Sequence, residues 1–185
     1  MRHLLRIALA CAVLATPAAA ANRLLPDGVS GTDVNLAREF AEGGGDLELG
    51  GGLCWRGRLS ATLALVSSDA PSRDGLRGDL ALALLRRGGL GVELGYGRFW
   101  RGHGRADRRL VPLRVFRRLG LAGPLTLVPH ATVTKVLGQD HDDELGELGL
   151  DLVWRRRLRL GLEWNLNEDL RYHPLTVRVG LIRTR

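Results

Sequence analysis

Along most of the chain, leucine or another apolar residue stands at every second position, and polar or small residues fill the positions between. The segment 158–167 is the clearest example, because its leucines and tryptophan alternate with arginine, glycine, glutamate and asparagine. A period of two places all the apolar side chains on one face of a β-strand, whereas an α-helix would scatter them around its circumference. Leucine is a good helix former, but the alternation outweighs this intrinsic preference and predicts an all-β protein.

Turn-forming residues divide the alternating segments into hairpins. Tight connections are predicted around 55–58, 86–89, 120–124 and 155–157. Longer polar loops are predicted at 67–78, 101–108, 138–143 and 167–174. With a first strand near 34–41 and a last strand near 175–183, about ten strands result, or eight if the weak first strand and one partner do not form. Both chain termini then lie on the side of the short turns.

The composition of the polar face distinguishes two barrels that share this alternation. A soluble barrel points its leucines inward, whereas a membrane barrel points them toward lipid and its polar residues into the lumen. Here the polar face is rich in Gly, Ala, Ser and Thr and carries charges of both signs, which suits a narrow lumen where buried charges pair. The residues predicted to form this polar network in the lumen are Glu48, Glu93, Arg114, Glu147, Asp151, Arg159, Glu163 and Arg178.

The opposite face is predicted to contact lipid. Its representative leucines are Leu49, Leu63, Leu94 and Leu162, and the tryptophans expected in interface belts are Trp55, Trp100 and Trp154. Arginines crowd the short turns. If these turns face the periplasm, the arginines can pair with phospholipid phosphates, while turn solubility explains them equally well.

The first residues are typical of a secretory signal peptide. Arg2 and Arg6 precede an apolar stretch at 7–15, and a run of small residues predicts cleavage after Ala20 or Ala21. Residues 1–21 are therefore predicted to be a signal peptide and residues 22–185 one β-barrel domain. A chain of 185 residues with 45% hydrophobic residues is long and apolar enough for one such domain and is not disordered. Removal of the leader leaves Cys54 without a cysteine partner, so no internal disulfide is expected.

These features together make residues 33–185 resemble the small outer-membrane β-barrel proteins of Gram-negative bacteria as a class. The resemblance implies a closed antiparallel up-and-down barrel in the outer membrane, with outer-membrane lipids, lipopolysaccharide and the barrel assembly machinery as partners. In that class the last strand commonly carries a polar residue, a spaced glycine and a terminal aromatic. Arg178-Val179-Gly180 matches the first part, but the chain ends at Arg185 without an aromatic residue.

The function expected from this resemblance is a structural or surface-contact role, or at most a small, porin-like passive channel without a cofactor. One alternative is a soluble periplasmic β-barrel that binds an apolar ligand inside its leucine face. A second is a lipid A-modifying hydrolase, because His130 and Thr132 share a polar face and their spacing is similar to the His-x-Ser pair of outer-membrane lipid A deacylases. Threonine replaces the serine, however, and no supporting acid lies nearby in the sequence.

Two loops carry weaker chemical signals. The acidic candidates Asp140, Asp142, Asp143 and Glu144 offer oxygen ligands for calcium or magnesium, but they lack the spacing and glycine of a calcium loop, which favours a solvated hairpin. The basic loop 101–109 has no stacking platform, and export argues against nucleic acid as a partner. No phosphate-binding glycine loop, zinc spacing or nucleophile elbow is found in the sequence, so catalysis is not expected.

Overall fold

The structure of the chain is a computed structural model that describes residues 22–41, 44–69, 74–101, 108–137, 142–166 and 174–185. A short 3₁₀ turn, Asn22–Leu24, precedes the strands. The strands are β1 Gly31–Phe40, β2 Asp46–Trp55, β3 Leu59–Ser68, β4 Gly75–Arg87, β5 Leu90–Arg101, β6 Arg108–Arg117, β7 Leu125–Leu137, β8 Asp142–Trp154, β9 Leu158–Asn165 and β10 Leu175–Thr184. β6 resumes after Arg118 as Leu119–Gly120, in the same register against β7. The predicted count of ten strands is confirmed. The signal peptide predicted for residues 1–21 lies outside the described residues.

The strands form a closed antiparallel barrel, which confirms the predicted fold class. Each strand pairs with its neighbours along the chain, and β6 pairs with β7 from Arg109↔Leu137 to Phe116↔His130. The first and last strands complete the ring, from Gly31↔Thr184 to Phe40↔Leu175. Closure therefore gives each described strand a hydrogen-bonded neighbour on both sides.

Two boundaries differ from the sequence-based expectation. β1 begins at Gly31 rather than near Val34, because its ladder with β10 continues to the end of that strand. The loop predicted for 67–78 is shorter, since β4 already begins at Gly75 and pairs through Val66↔Gly75 and Ala64↔Arg77. Gly75 and Gly78 suggested a loop in the sequence, but pairing with both neighbouring strands overrides that local preference.

A β-bulge in β4 keeps the two faces of the barrel separate. The register against β5 shifts between Ala83 and Leu85, so that Leu84 is the additional residue. Leu84 and Leu85 are both exposed on the outside, and Arg86 returns to the inner side. Without the extra residue, the sequence Leu84-Leu85 would place one leucine in the polar lumen.

Tight turns with positive φ angles connect two of the hairpins. The amide of Arg58 donates to the Trp55 carbonyl at 3.0 Å, and that of Arg157 to the Trp154 carbonyl at 2.9 Å. In the first turn the central residues Arg56 and Gly57 have φ angles of 51° and 64°. In the second turn the two central residues have φ angles of 51° and 54°, and positive values at both positions are the pattern of type I′ turns. In the second turn both central residues are arginines, Arg155 and Arg156, and for each the left-handed conformation costs roughly 1–2 kcal/mol.

Apolar side chains cover the outside of the barrel. Among the described residues, twenty-nine large hydrophobic side chains are exposed, including Leu63 at 55% and Leu94 at 43%. Leu49 and Leu162 lie on the same outer face, half-buried among their neighbours. This orientation does not fit the alternative in which the leucines enclose an apolar ligand.

Several glycines of the inner face lie directly opposite bulky side chains. Gly91 pairs with Phe116, Gly149 with His130, and Gly161 with Asp151. A Cβ atom at Gly91 would overlap the Phe116 ring, and one at Gly149 would overlap the His130 imidazole. These glycines therefore provide the space that the large residues of the neighbouring strand occupy.

We expect Gly91→Ala to destabilise the barrel, because the Phe116 ring must leave its position above the glycine. Overpacking of this kind lowers the free energy of unfolding by about 1–3 kcal/mol. A lower midpoint of urea unfolding in detergent micelles would measure this loss. Gly120→Ala is the matched control, since a Cβ atom there meets nothing within 4 Å. Equal midpoints for the two variants would contradict the role assigned to Gly91.

Candidate functional site

The N-terminal segment lies inside the short-turn end of the barrel. Leu24 and Leu25 are completely buried, and they pack in one apolar cluster with residues of β2, β8 and β10, namely Cys54, Val153 and Ile182. The sequence pattern did not predict this arrangement, because residues 22–30 show no alternation. We refer to residues 22–30 as the plug.

Hydrogen bonds from the turns hold the plug in place. Arg86 donates to the carbonyl of Leu25 at 2.6 Å and to that of Gly57 at 2.6 Å, while its guanidinium lies 5.2 Å from the centre of the Phe116 ring. Arg118 donates to the carbonyl of Arg23 at 2.9 Å. Arg86 and Arg118 thus bind the plug rather than only solubilising a turn, and Arg58 also contacts it through Asp27 at 3.4 Å.

The side chain of Arg23 extends from the plug into the lumen. Its Nε lies 2.8 Å from Oδ2 of Asp151, and its Nη2 lies 3.0 Å from Oε1 of Glu163. Although burial opposes the charge, the carboxylates of Asp151 and Glu163 raise the pKa of Arg23, so its guanidinium remains charged. The plug therefore binds the inner wall of the barrel through a charged group as well as through leucines.

The same two carboxylates bind further arginines on the barrel wall. Arg159 donates from Nε to Oδ1 of Asp151 at 2.6 Å. Arg178 donates to Oε2 of Glu163 at 3.2 Å and to Oε1 of Glu48 at 2.5 Å. Asp151 and Glu163 are thus each shared between Arg23 and a wall arginine, which links the plug to β2, β8, β9 and β10.

The remaining predicted lumen residues lie in a neighbouring group. Arg114 contacts Oε2 of Glu93 at 3.3 Å and donates to the Thr132 hydroxyl at 3.0 Å. Glu147 lies opposite Thr132 in the ladder between β7 and β8. Glu93 is almost fully buried, at 1% exposed.

Further residues of the lumen, including Arg77, Asn35 and Asp33, are not among those that the alternation predicted. Arg77 forms an ion pair with Asp79 at 2.8 Å. The side-chain amide of Asn35 donates a hydrogen bond to the Asp33 carboxylate at 3.0 Å and accepts one from Arg178 at 2.8 Å. The polar loop predicted for 67–78 includes Arg77. Had the strand been extended to Gly75, its alternation would have placed Arg77 and Asp79 on the polar face.

His130 and Thr132, the candidate hydrolase pair, are both buried on the inner face of β7. They have different partners, since the Thr132 hydroxyl accepts from Arg114 and Nε2 of His130 lies 3.4 Å from Oδ2 of Asp151. Asp151 thus lies near His130 in the fold, although it is distant from His130 in the sequence. The plug covers this end of the lumen, and no described contact joins the histidine to the threonine as base and nucleophile.

His130, Asp151 and Glu163 are also the group that could hold a metal ion, since one ligand atom from each lies within 4.8 Å of the others. Arg23 binds both of the carboxylate oxygens that approach Nε2 of His130. The guanidinium therefore stands where a cation would bind. Of the predicted acidic loop ligands, Asp140 and the side chains of Asp142 and Asp143 lie outside the described residues, and Glu144 is exposed.

Exposed aromatic residues lie at both rims. Trp55 and Trp154 flank the short turns, and the guanidiniums of Arg56 and Arg155 lie 5.2 Å and 5.0 Å from their ring centres. Trp100 lies at the opposite rim with Arg98 at 5.7 Å. Trp164, which was not among the predicted belt residues, is 39% exposed near the end of β9.

No family model matches the sequence, and no curated protein is significantly similar to it. Solved structures of membrane β-barrels do align with most of the chain. The KdgM porin is 14% identical, with 81% of this chain and 97% of that chain covered and a TM-score of 0.46. An outer membrane channel from Pseudomonas putida F1 is 13% identical, with 87% of this chain and 97% of that chain covered and a TM-score of 0.43. A designed transmembrane β-barrel is 12% identical, with 87% of this chain and 98% of that chain covered and a TM-score of 0.39. The TM-scores of these three structures are below 0.5, so their similarity to this chain carries no functional argument.

Among the described residues, no helix is long and apolar enough to span a membrane.

We expect Arg23→Gln to destabilise the barrel, because it leaves Asp151 and Glu163 with less positive charge in a buried site. The loss should be about 3 kcal/mol, the lower end for a broken buried ion pair, since Arg159 and Arg178 remain. Guanidinium chloride unfolding in detergent micelles measures it.

Arg38→Gln is the matched control, because its ion pair with Asp69 at 2.8 Å joins two exposed side chains. This variant should unfold at nearly the wild-type midpoint. A midpoint for Arg23→Gln as high as that of the control would show that the plug ion pairs do not stabilise the fold.

Proposed function

We propose that the protein is an outer-membrane β-barrel whose lumen is closed by its own N-terminal plug and by ion pairs. The observation that carries this proposal is the reversed distribution of side chains, with leucines outside and charges inside. Soluble monomers rarely expose an apolar patch of more than a few hundred Å². Here exposed apolar residues occur on the outer face of every strand.

The dimensions of the strands support a membrane location. They contain 8 to 13 residues, and a tilted strand needs about 9–11 residues to cross the hydrocarbon core. Exposed tryptophans at both ends of this apolar zone lie where membrane proteins place their aromatic belts. Barrel closure supplies a hydrogen-bond partner strand on both sides of each strand, as a lipid environment requires.

The closed lumen favours a structural or surface-contact role over a permanently open channel. Arg23, Asp151 and Glu163 join the plug to the wall, and the leucines of the plug occupy the short-turn mouth. Passive conduction would require the plug to leave. The proposed partners are outer-membrane lipids, lipopolysaccharide and the machinery that inserts barrels into this membrane.

Membrane residence is tested by fractionation of cells that produce the full chain. We expect the protein to stay in the outer-membrane fraction through carbonate washing and to require detergent for release, because its outer face is apolar. Release by osmotic shock without detergent would overturn the proposed location.

Closure of the lumen is tested in planar bilayers. The full chain should show almost no conductance, whereas a variant that lacks residues 22–28 should conduct in discrete steps. Cys54 provides a second readout, because it is 3% exposed beneath Leu24 and Leu25. A polar maleimide should label it only in the shortened variant. Equal conductance and equal labelling of the two proteins would contradict the plug.

A further inference from the structure

The short-turn rim of the barrel carries a ring of exposed arginines. They are Arg56, Arg58, Arg87, Arg117, Arg155, Arg156, Arg157, Arg183 and Arg185. Among the described residues, the exposed carboxylate at this rim is Asp27, which lies 3.4 Å from Arg58. The rim therefore has a large excess of positive charge.

The arginines are distributed around the whole circumference. They stand in the turn after β2, at the ends of β4 and β6, in the turn after β8, and at the end of β10. In each of these sectors an exposed apolar residue precedes them on the same face, such as Trp55, Val115 or Leu181. The charged ring thus begins where the apolar outer face ends.

Two tryptophans fix the level of this ring relative to the apolar face. Arg56 and Arg155 stack on Trp55 and Trp154, and both arginines have positive φ angles in their turns. An aromatic ring with a guanidinium on its face presents an apolar body and a cationic edge at the same depth. This is the chemistry of the boundary between acyl chains and phosphates.

The opposite rim differs in charge. Its described outward charges have mixed signs, and Arg38 is paired with Asp69 at 2.8 Å. Glu144 lies opposite Lys135 in the ladder between β7 and β8. A surface of mixed sign has no comparable attraction for an anionic layer.

We propose that the short-turn rim binds the phosphates of an anionic glycerophospholipid leaflet, with phosphatidylglycerol as the representative lipid. This inference rests on the proposed membrane location and adds which lipid the rim selects. Arginine binds phosphate oxygens through two parallel N–H donors, and a ring of such sites orients the barrel with its short turns toward that leaflet.

The experiment measures lipid binding to the detergent-solubilised full chain by native mass spectrometry, with phosphatidylglycerol, phosphatidylcholine and lipopolysaccharide as probes. The rim variant combines Arg56→Gln, Arg117→Gln, Arg157→Gln and Arg183→Gln, none of which contacts the plug through its side chain in the described hydrogen bonds. The control removes the same number of charges from the other rim through Arg38→Gln, Arg98→Gln, Arg109→Gln and Lys135→Gln.

We expect the wild-type chain and the control to bind phosphatidylglycerol at least about tenfold more tightly than phosphatidylcholine, and the rim variant to lose this preference. Added salt should weaken the preference of the wild type. Equal binding of the two lipids by the wild type, an equal loss in both variants, or selective binding of lipopolysaccharide at this rim would overturn the inference.

Insertion into vesicles separates this inference from the proposed function. A chain that inserts into phosphatidylcholine vesicles but shows no preference for phosphatidylglycerol retains the membrane location and refutes the lipid selectivity of the rim. A chain that inserts into neither kind of vesicle refutes the membrane location itself.

Discussion

The interior of the barrel depends on the pairing of buried charges, and Asp151 and Glu163 are the points where this pairing converges. Each carboxylate is shared between Arg23 of the plug and an arginine of the wall, Arg159 or Arg178. A buried carboxylate without such partners would be costly, because the narrow lumen offers little water to replace them. The position of the plug, the closure of the mouth and the register of the surrounding strands are therefore linked through two side chains.

Space in the lumen is the second constraint, and the glycines of the inner face provide it. His130, Phe116 and Asp151 each extend over a glycine of the neighbouring strand. The abundance of glycine therefore has a packing explanation in this barrel, and it does not imply flexible loops. Because the large side chains fill the space above the glycines, the lumen can accommodate an ion-pair network without forming an open pore.

The outer surface follows different physical rules from the lumen. Outside, leucines need no specific partner, and the requirement is only a continuous apolar face ending in tryptophan and arginine at its rims. Inside, each charge needs a particular partner at hydrogen-bond distance. The proposed membrane location is thus supported by the continuous apolar outer surface as a whole. The proposed closure of the lumen depends instead on individual contacts such as those of Arg23.

The sequence by itself determined the strand count and the division of each strand into an apolar and a polar face, because a period of two assigns side chains to a face without reference to distant residues. It failed at Arg77, which lies in the polar segment predicted to be a loop, and at residues 22–30, which have no periodicity. Only the tertiary structure decided which charges pair, since Arg23 and Asp151 are 128 positions apart and meet because the barrel closes around the plug. Contacts between distant segments depend on closure and on the exact register, and the local alternation of residues restricts that register only to shifts of two residues.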